Sequence, residues 1–375
     1  MSEFNYINNH IHTTYSFSPY TPTMSVELAL KNGLKTAGIM DHDSVAGAFE
    51  FIEAGKKFNM PVTVGIECRV DMSGTPLNGK RINNPDQNSV AYVAMHGIPH
   101  QNITKVNDYF APFRAHRNVR NVQMCANIND LVGKYGLAID FNADVLPISN
   151  YHLGGVVTER HILFALVNKI VAKYTTPADV MKFLKNDMEL PLSDKVEQQI
   201  LNGDQTPDFY KYDILGALKS NLVEKFYVDA TKECPDVKEF IQLANDVGGI
   251  AAYSYLGDVG DSVTGDKKTQ KFEDDYLDLL FDVISDCGFD AVTYMPTRNT
   301  MEQLDRIMAK CAEYKFFQIS GEDINSPRQS FICKAYENPK FDHLIKAAFT
   351  LIEYENAATE NLIKARNDFP QLFKS

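Results

Sequence analysis

The chain has 375 residues, of which 44% are hydrophobic and 23% are charged, an ordinary composition for a globular protein. This length suits about two domains, or one large barrel with an insertion, and the composition excludes fibrous, collagen-like and largely disordered proteins. The formal net charge of −12 argues against a broad basic face for long nucleic acid. We therefore expect that any nucleotide substrate is bound locally.

The sequence predicts a cytoplasmic protein that does not span a membrane. The first residues, MSEFNYINNHIH, contain no basic segment followed by an apolar one. The most apolar helical stretch, residues 161–167, is interrupted at Lys169, far short of a membrane span. The six cysteines include no Cys-x-x-Cys pair, so neither a zinc ribbon nor a disulfide framework is expected.

The first hundred residues alternate short apolar runs with helical spacing, which indicates repeated β-α-β units. Helices are predicted over residues 24–34 and 44–58, the second with Val45, Phe49 and Ile52 facing the core. Strands are predicted over residues 6–13, 36–40, 61–70 and 90–95.

The same alternation returns after residue 240. Strands are predicted over residues 249–254, 290–295 and 316–320, and helices over 237–245, 272–287 and 301–315. Thr300 and Gln303 form a capping-box pattern at the start of the last of these helices.

The segment between the two blocks has a different character, with amphipathic helical spacing and few strand-like runs. Helices are predicted there over residues 119–132, 161–173, 178–184 and 214–225. We therefore predict an α/β barrel formed by residues 1–100 and 241–340, a helical insertion domain over 101–240, and helices over 341–375 that pack on the barrel.

Histidines and carboxylates recur at the ends of the predicted strands. His10 and His12 are two apart in the first strand, so both imidazoles lie on one face, although a His-x-His pair alone is a weak metal signal. The second strand ends in DHD at 41–43, whose last Asp could equally cap the next helix.

Two later strands add carboxylates. The third strand has its apolar residues on one face and Glu67 on the other, and the last strand leads into GEDIN at 321–325. A carboxylate at the carboxyl end of a barrel strand points to the mouth of the site. Imidazoles and carboxylates at one rim are the ligands that a divalent metal such as Zn, Mn or Fe needs.

These motifs, in this order, resemble those of the PHP (polymerase and histidinol phosphatase) family. The similar segments are H-x-H at 10–12 followed by Ser16, MDHDS at 40–44, GIE at 65–67 and SGED at 320–323. In the insertion, RNVR at 117–120 and VTERH at 157–161 resemble the branch that removes phosphate from nucleotides and short oligonucleotides. The similarity extends over roughly residues 5–332.

The resemblance implies a distorted (β/α)7 barrel that binds up to three divalent metals and hydrolyses phosphate esters with a metal-activated water. The second metal would share one carboxylate with the first and need further histidines, for which His96 is the nearest candidate and His161 another. The first metal would be held by His10, His12, Glu67 and Asp323.

The sequence also departs from the family pattern. Phe17 and Asn325 stand at ligand positions of the third metal, which leaves it only His42, and Tyr255 stands at a ligand position of the second. Because a phenyl ring cannot bind a metal, we expect an empty third site and one or two bound ions.

Further residues are candidates for catalysis and substrate binding. His42, without a metal of its own, would donate a proton to the leaving group, and the neighbouring Asp41 is the second candidate catalytic residue. The candidate substrate-binding residues are Arg117, Arg120, Arg160 and His161, although each arginine could equally belong to a solvated basic face.

Three functional interpretations remain open from the sequence. The leading one is a metal-dependent phosphoesterase that hydrolyses a small, nucleotide-like phosphorylated metabolite, with neither long nucleic acid nor a membrane as partner. The second is a degenerate PHP-family protein without turnover that binds metal or nucleotide in a regulatory role. The third is an amidohydrolase-type barrel, which also opens with His-x-His, but the DHD and GIE motifs favour the PHP family.

Overall fold

The centre of the molecule is one seven-stranded sheet, seen in a computed structural model that describes residues 4–259 and 270–374. Neighbours pair in parallel, except that the fourth strand runs antiparallel to both of its neighbours. The strands follow chain order: β1 (Tyr6–Ile11), β2 (Leu34–His42), β3 (Val62–Asp71), β4 (Val90–His96), β5 (Ile250–Ser254), β6 (Ala291–Tyr294) and β7 (Phe317–Ser320).

The sheet curls so that its two edges meet. The His12 N–H donates to the Ile324 carbonyl at 2.9 Å, and the Asn9 side-chain amide donates to the Ser320 carbonyl at 2.9 Å. Contacts between β1 and β7 thus bring the first and last strands together. The predicted α/β class and distorted seven-stranded barrel are confirmed.

Helices surround this sheet and fill the segment between β4 and β5. In chain order they are α1 (Pro22–Lys31), α2 (Ala48–Phe58), α3 (Ile103–Val132), α4 (Glu159–Lys173), α5 (Pro177–Lys182), α6 (Asp194–Leu201), α7 (Pro207–Phe226), α8 (Val237–Val247), α9 (Leu277–Cys287), α10 (Met301–Tyr314) and α11 (Asp342–Asp368).

The inward face of α2 differs from the prediction at one residue. The helix begins at Ala48 rather than at 44, so its apolar stripe continues through Phe51, Ile52 and Gly55. Phe49 lies on the opposite face and is 52% exposed. The expectation that Phe49 faces the core was wrong, because Val45 lies outside the helix and the buried face is instead set by Ala48, Phe51, Ile52 and Gly55.

Buried apolar side chains form two large clusters. The first lies around the sheet, and the second lies within residues 124–226 and is joined by Phe17. Helix α3 spans both, with Ile103 and Phe110 in the first cluster and Met124 and Ile128 in the second. We propose, as the sequence predicts, that the helical segment is a separate domain inserted into the barrel.

The C-terminal helix α11 is anchored to the barrel by a buried carboxylate. Glu355 is fully buried and accepts hydrogen bonds from the Thr63 hydroxyl at 2.6 Å and the Val64 N–H at 2.8 Å. His100 Nε2 lies 3.0 Å from its second oxygen. Burial raises the pKa of Glu355 despite these three contacts.

Two further expectations concern membranes and thiols. Among the helices of the described ranges, none is both long enough and apolar enough to cross a bilayer. The six cysteines are free, and Cys287 alone among them is not fully buried.

Candidate metal centre

Four predicted ligands converge where β1 and β7 end, beside Glu67 in the middle of β3. The Nε2 atoms of His10 and His12 are 3.2 Å apart, because the period of two in β1 places both rings on the same face. Glu67 Oε2 lies 3.8 Å from the first ring and 3.9 Å from the second. Asp323 Oδ1 is 3.3 Å from His12 Nε2.

This donor set fits a divalent ion. The ligand atoms of His10, His12 and Glu67 all lie within 4.8 Å of one another, and Asp323 adds a second carboxylate beside them. Burial opposes ionisation of both carboxyls, but the charges and hydrogen bonds of the histidines hold the pKa of Glu67 and of Asp323 well below the usual range. Two anionic oxygens and two imidazoles suit Zn, Mn or Fe.

His12 is held in place by a chain of hydrogen bonds behind it. Its Nδ1 lies 3.2 Å from the Ser16 hydroxyl, which donates to Asp41 Oδ1 at 2.6 Å. Asp41 is fully buried and also accepts the Thr13 N–H at 2.7 Å and the Thr13 hydroxyl at 2.6 Å. The structure thus places Asp41 behind a ligand rather than in the pocket, where it can orient His12 as outer partners of metal-binding histidines commonly do.

His42 faces the cluster from the end of β2. Its Nδ1 lies 3.1 Å from Glu67 Oε2, and its side chain is 25% exposed to the pocket. The next residue, Asp43, has a left-handed backbone with φ of 49°, which is strained for a residue other than glycine. Arg114 donates to the Asp43 carbonyl at 2.8 Å and Arg117 to its carboxylate at 2.6 Å, so α3 stabilises the backbone that carries His42.

Arg117 and Arg120 belong to a buried network of ion pairs. Glu159 accepts from Arg117 at 2.9 Å and from Arg120 at 2.5 Å, and Glu233 accepts from Arg120 at 2.8 Å and from Arg69 at 2.5 Å. Burial opposes ionisation of Glu159, but the three arginines hold its pKa well below the usual range. The charges of Arg117 and Arg120, both predicted to bind substrate, are therefore already compensated by carboxylates. Arg120 does not line the pocket.

Arg160 is the predicted arginine that lies beside the metal ligands. Its Nη1 donates to Asn325 Oδ1 at 2.6 Å, and the Asn325 amide donates to Asp323 Oδ1 at 2.5 Å. Both Arg160 and Asn325 line the pocket.

Phe17 and His161 are packed together in the core of the insertion. Their ring centroids are 5.0 Å apart in an edge-on contact, and Phe164 contacts Phe17 from a second side at 5.7 Å. His161 Nδ1 accepts the Thr158 N–H at 3.0 Å and so caps α4, while burial and the charge of Arg117 lower the pKa of this histidine to about 3. The structure does not bring His161 to the pocket.

His96 is close enough to His10 and Glu67 to feel their charges, but it is buried beneath the cavity wall and does not line the cavity. The sequence places it at the end of a strand, but β4 is antiparallel, so its carboxyl end points away from the rim that carries Glu67. The ring is buried, neither of its nitrogens has a hydrogen-bond partner in the described part of the chain, and burial lowers its pKa to about 3.

Tyr255 lines the pocket and forms a hydrogen bond with Asp274. Its hydroxyl donates to Asp274 Oδ1 at 2.5 Å, and its side chain is almost completely buried. The phenol is thus directed toward the start of α9.

The ligands form the floor of a cavity of about 600 Å³ between the barrel mouth and the insertion, a size that suits a small-molecule ligand. Sequence reasoning missed most of its walls, because they come from β4, α7 and the connecting segments, none of which carries a motif. The missed lining residues include Arg81, Asn83, Tyr92, Lys219, Tyr227 and Arg298.

Comparison with known families supports the motif assignment. The sequence model of the PHP domain matches residues 8–144. The N-terminal part of this chain is therefore similar to the PHP domain. The matched segment of the PHP domain contains the H-x-H, DHD and GIE motifs and therefore three of the four first-metal ligands. A comparison with curated protein sequences gives no significant match.

Two solved structures share the fold. A protein from Bifidobacterium adolescentis, proposed to be a metal-dependent phosphoesterase, is 20% identical with a TM-score of 0.57, over 90% of this chain and 96% of that one. An amidohydrolase from Chromobacterium violaceum with bound sulfate and no metal is 15% identical with a TM-score of 0.55, over 87% of this chain and 90% of that one. At these identities the likeness establishes the fold.

Proposed function

We propose that this protein is a metal-dependent phosphoesterase that hydrolyses a small, nucleotide-like phosphorylated metabolite with water as the nucleophile. The observation that carries the proposal is the convergence of His10, His12, Glu67 and Asp323 on the floor of a cavity of about 600 Å³. The PHP-domain match, and the phosphoesterase activity proposed for the Bifidobacterium adolescentis protein, support this chemistry.

A divalent ion held by the four ligands would lower the pKa of a coordinated water and polarise a phosphoryl oxygen. Residues of the chain favour the binding of such an ion. The lowered pKa values of Glu67 and Asp323 keep both carboxylates anionic, and Ser16 with Asp41 keeps the His12 ring oriented. We propose one or two ions of Zn, Mn or Fe.

Two residues on the open side of the ligands would act on the substrate itself. His42 faces the cavity and can donate a proton to the oxygen of the leaving group. Arg160 can donate to phosphoryl oxygens and balance the negative charge that develops there.

The remaining walls favour a substrate with both polar and flat apolar parts. Tyr92 and Tyr227 line the cavity with aromatic rings that a nucleobase or a sugar can contact, and Asn83 and Lys219 add polar groups. The cavity is bounded by the insertion, so a long polymer chain is not the expected ligand. We propose a small metabolite in the cytoplasm as the substrate.

A regulatory protein without turnover is the second candidate function. It is favoured by the contacts of Phe17 with His161 and of Tyr255 with Asp274, because two positions that the family pattern assigns to metal ligands serve other purposes here.

Metal analysis combined with a substrate panel tests the proposal. The purified protein, loaded with Mn²⁺ or Zn²⁺, is assayed on nucleoside monophosphates, nucleoside bisphosphates and sugar phosphates, with Asp323→Ala as the control. We expect bound metal and hydrolysis of at least one nucleotide, both lost in the variant. Metal at the four ligands with no hydrolysis across the panel would favour the regulatory alternative, and failure to bind metal would contradict the phosphoesterase and leave only a nucleotide-binding form of the alternative.

A further inference from the structure

Asn325 connects a metal ligand with an arginine of the insertion. Its amide nitrogen donates to Asp323 Oδ1 at 2.5 Å, and its amide oxygen accepts from Arg160 Nη1 at 2.6 Å. The partners determine the orientation of the amide, because a guanidinium can only donate and an ionised carboxylate can only accept. An uncharged amide, whose NH2 group donates and whose oxygen accepts, therefore lies between an anion and a cation.

The position of Asn325 is fixed by burial and by a backbone hydrogen bond. The residue is only 6% exposed, and its backbone N–H donates to Gln329 Oε1 at 2.7 Å. Asn325 follows β7 of the barrel, whereas Arg160 lies in the first turn of α4 in the insertion. The hydrogen bond between them is thus a link between the two parts of the molecule at the site itself.

Arg160 differs from the other arginines near the site in its charge balance. Arg117 and Arg120 are buried and bonded to carboxylates. Arg160 is partly exposed and lines the cavity, and its bond to a side chain among residues 4–259 and 270–374 is to the uncharged Asn325, although its charge also lowers the pKa of the nearby Asp323. Its positive charge and its remaining N–H donors are available to a ligand in the cavity.

We propose that Asn325 is a positioning residue that holds the Arg160 guanidinium beside Asp323, so that it binds the phosphoryl group of a substrate at the metal centre. The identity of the anion rests on the proposed function, whereas the link between Asn325 and Arg160 does not. Asn325 acts through Arg160 and makes no contact of its own with the reacting atoms. Without Asn325 the long arginine side chain would lose its fixed geometry and part of its affinity for the anion.

Binding of inorganic phosphate to the Mn²⁺-loaded protein, measured by calorimetry, tests the proposal without requiring turnover. The variants are Arg160→Ala, Asn325→Ala and the double variant, each with its metal content measured. Lys56→Ala, at an exposed position of α2, is the control for the loss of one positive charge. We expect Arg160→Ala to weaken phosphate binding about 10-fold to 100-fold and Asn325→Ala to weaken it less.

The decisive comparison is the effect of Asn325→Ala on phosphate binding in the wild type and in the Arg160→Ala variant. If Asn325 acts through Arg160, Asn325→Ala has no further effect once Arg160 is alanine, and all variants retain their metal. The proposal is overturned by wild-type affinity in Asn325→Ala, by an effect that adds in full to Arg160→Ala, by metal loss in Asn325→Ala, or by a wild type that binds no phosphate. Coupled phosphate binding in a protein that hydrolyses no ester would instead support the inference and refute the proposed phosphoesterase.

Discussion

At the scale of single residues, the metal ligands combine burial with mutual charge compensation. Burial by itself would favour the neutral carboxyl of Glu67, but His10 and His42 lower its pKa below the usual range. His12 is lowered in pKa by burial and by the neighbouring His42, which favours the neutral ring that a metal requires. The pKa shifts of Glu67 and His12 therefore favour the forms that bind a metal, whereas the charge of Glu67 outweighs burial and raises the pKa of His10.

The first prediction concerns Asp323. Replacing it by alanine removes one of two anionic ligands, so we expect the protein to lose its bound ion and any phosphatase activity. Elemental analysis of the purified variant, alongside the wild type and the Lys56→Ala control, measures the metal. An Asp323→Ala variant with full metal content and full rate would contradict the assignment.

The second prediction concerns His42, which faces the cavity 3.1 Å from Glu67. His42→Ala should retain the metal and lower the turnover rate by roughly 10²-fold to 10⁴-fold, the usual contribution of a general acid. Steady-state kinetics and metal analysis on the same sample separate the two effects. Loss of metal from this variant, or anomalous scattering from an ion bound by His42, would show that the residue is a ligand instead.

At the scale of secondary-structure elements, charged groups join the barrel to the insertion. Arg69 in β3, Arg120 in α3 and Glu159 in α4 meet in one buried network together with Glu233. Breaking a buried ion pair leaves an uncompensated charge, which is far more costly than losing a surface pair.

The third prediction follows from this network. Arg120→Met should lower the free energy of unfolding by roughly 3–5 kcal/mol, because Glu233 and Glu159 keep their charges without this partner. The matched control is Lys56→Met, whose exposed pair with Glu53 should contribute less than about 1 kcal/mol. Urea denaturation of both variants measures the difference, and equal effects would refute the role of the network.

The fourth prediction concerns Glu273, just before α9. Glu273 is fully buried and accepts the Leu256 N–H at 2.8 Å, and burial together with the charge of Asp274 raises its pKa from 4.5 to about 7. The folded state therefore keeps a proton that the unfolded state has lost. This contribution to stability is complete below pH 4.5 and disappears as the pH rises to 7.

Glu273→Gln removes this titration and keeps an oxygen acceptor. We expect the free energy of unfolding of the variant, relative to wild type, to rise by roughly 3 kcal/mol between pH 4 and pH 8. Chemical denaturation across this range provides the measurement, and parallel pH profiles for the two proteins would contradict the raised pKa.

At the scale of the whole molecule, the proposed ion would connect distant parts of the chain. His10 and Glu67 belong to the first strands of the sheet, whereas Asp323 follows the last one. The curled sheet brings these ends together through β1 and β7. An ion that binds only this folded arrangement must stabilise it.

The fifth prediction is a rise in melting temperature with metal. At a free ion concentration 100 times the Kd, the stabilisation is about 2.7 kcal/mol, and a chelator should reverse it. Scanning calorimetry with Mn²⁺ or Zn²⁺ measures the shift, and Asp323→Ala should show a smaller one. A melting temperature insensitive to both metal and chelator would argue against a site built from these strands.

Sequence patterns predicted the elements well wherever the signal is local. The capping box of Thr300 and Gln303 is present at the start of α10, and the period of two in β1 places His10 and His12 together. The limits of the elements were less accurate: α3 begins at 103, sixteen residues before the predicted helix at 119. The buried stripe of α3 passes from apolar residues at 103–110 to Arg114, Arg117 and Arg120, and Pro112 lies between them, so the apolar pattern does not show one continuous helix.

The sequence by itself determined the class of fold and the motif that holds the proposed metal, because both depend on residue type and short spacing. Only the tertiary structure decided the direction of β4 and therefore the position of His96. The alternation of apolar and polar residues along a strand is the same whichever way the strand runs. It also decided that Arg117 bonds to Asp43 and Glu159 whereas Arg160 bonds to Asn325. These partners are far apart along the chain, and no local sequence pattern predicts which distant carboxylate or amide a guanidinium will bind.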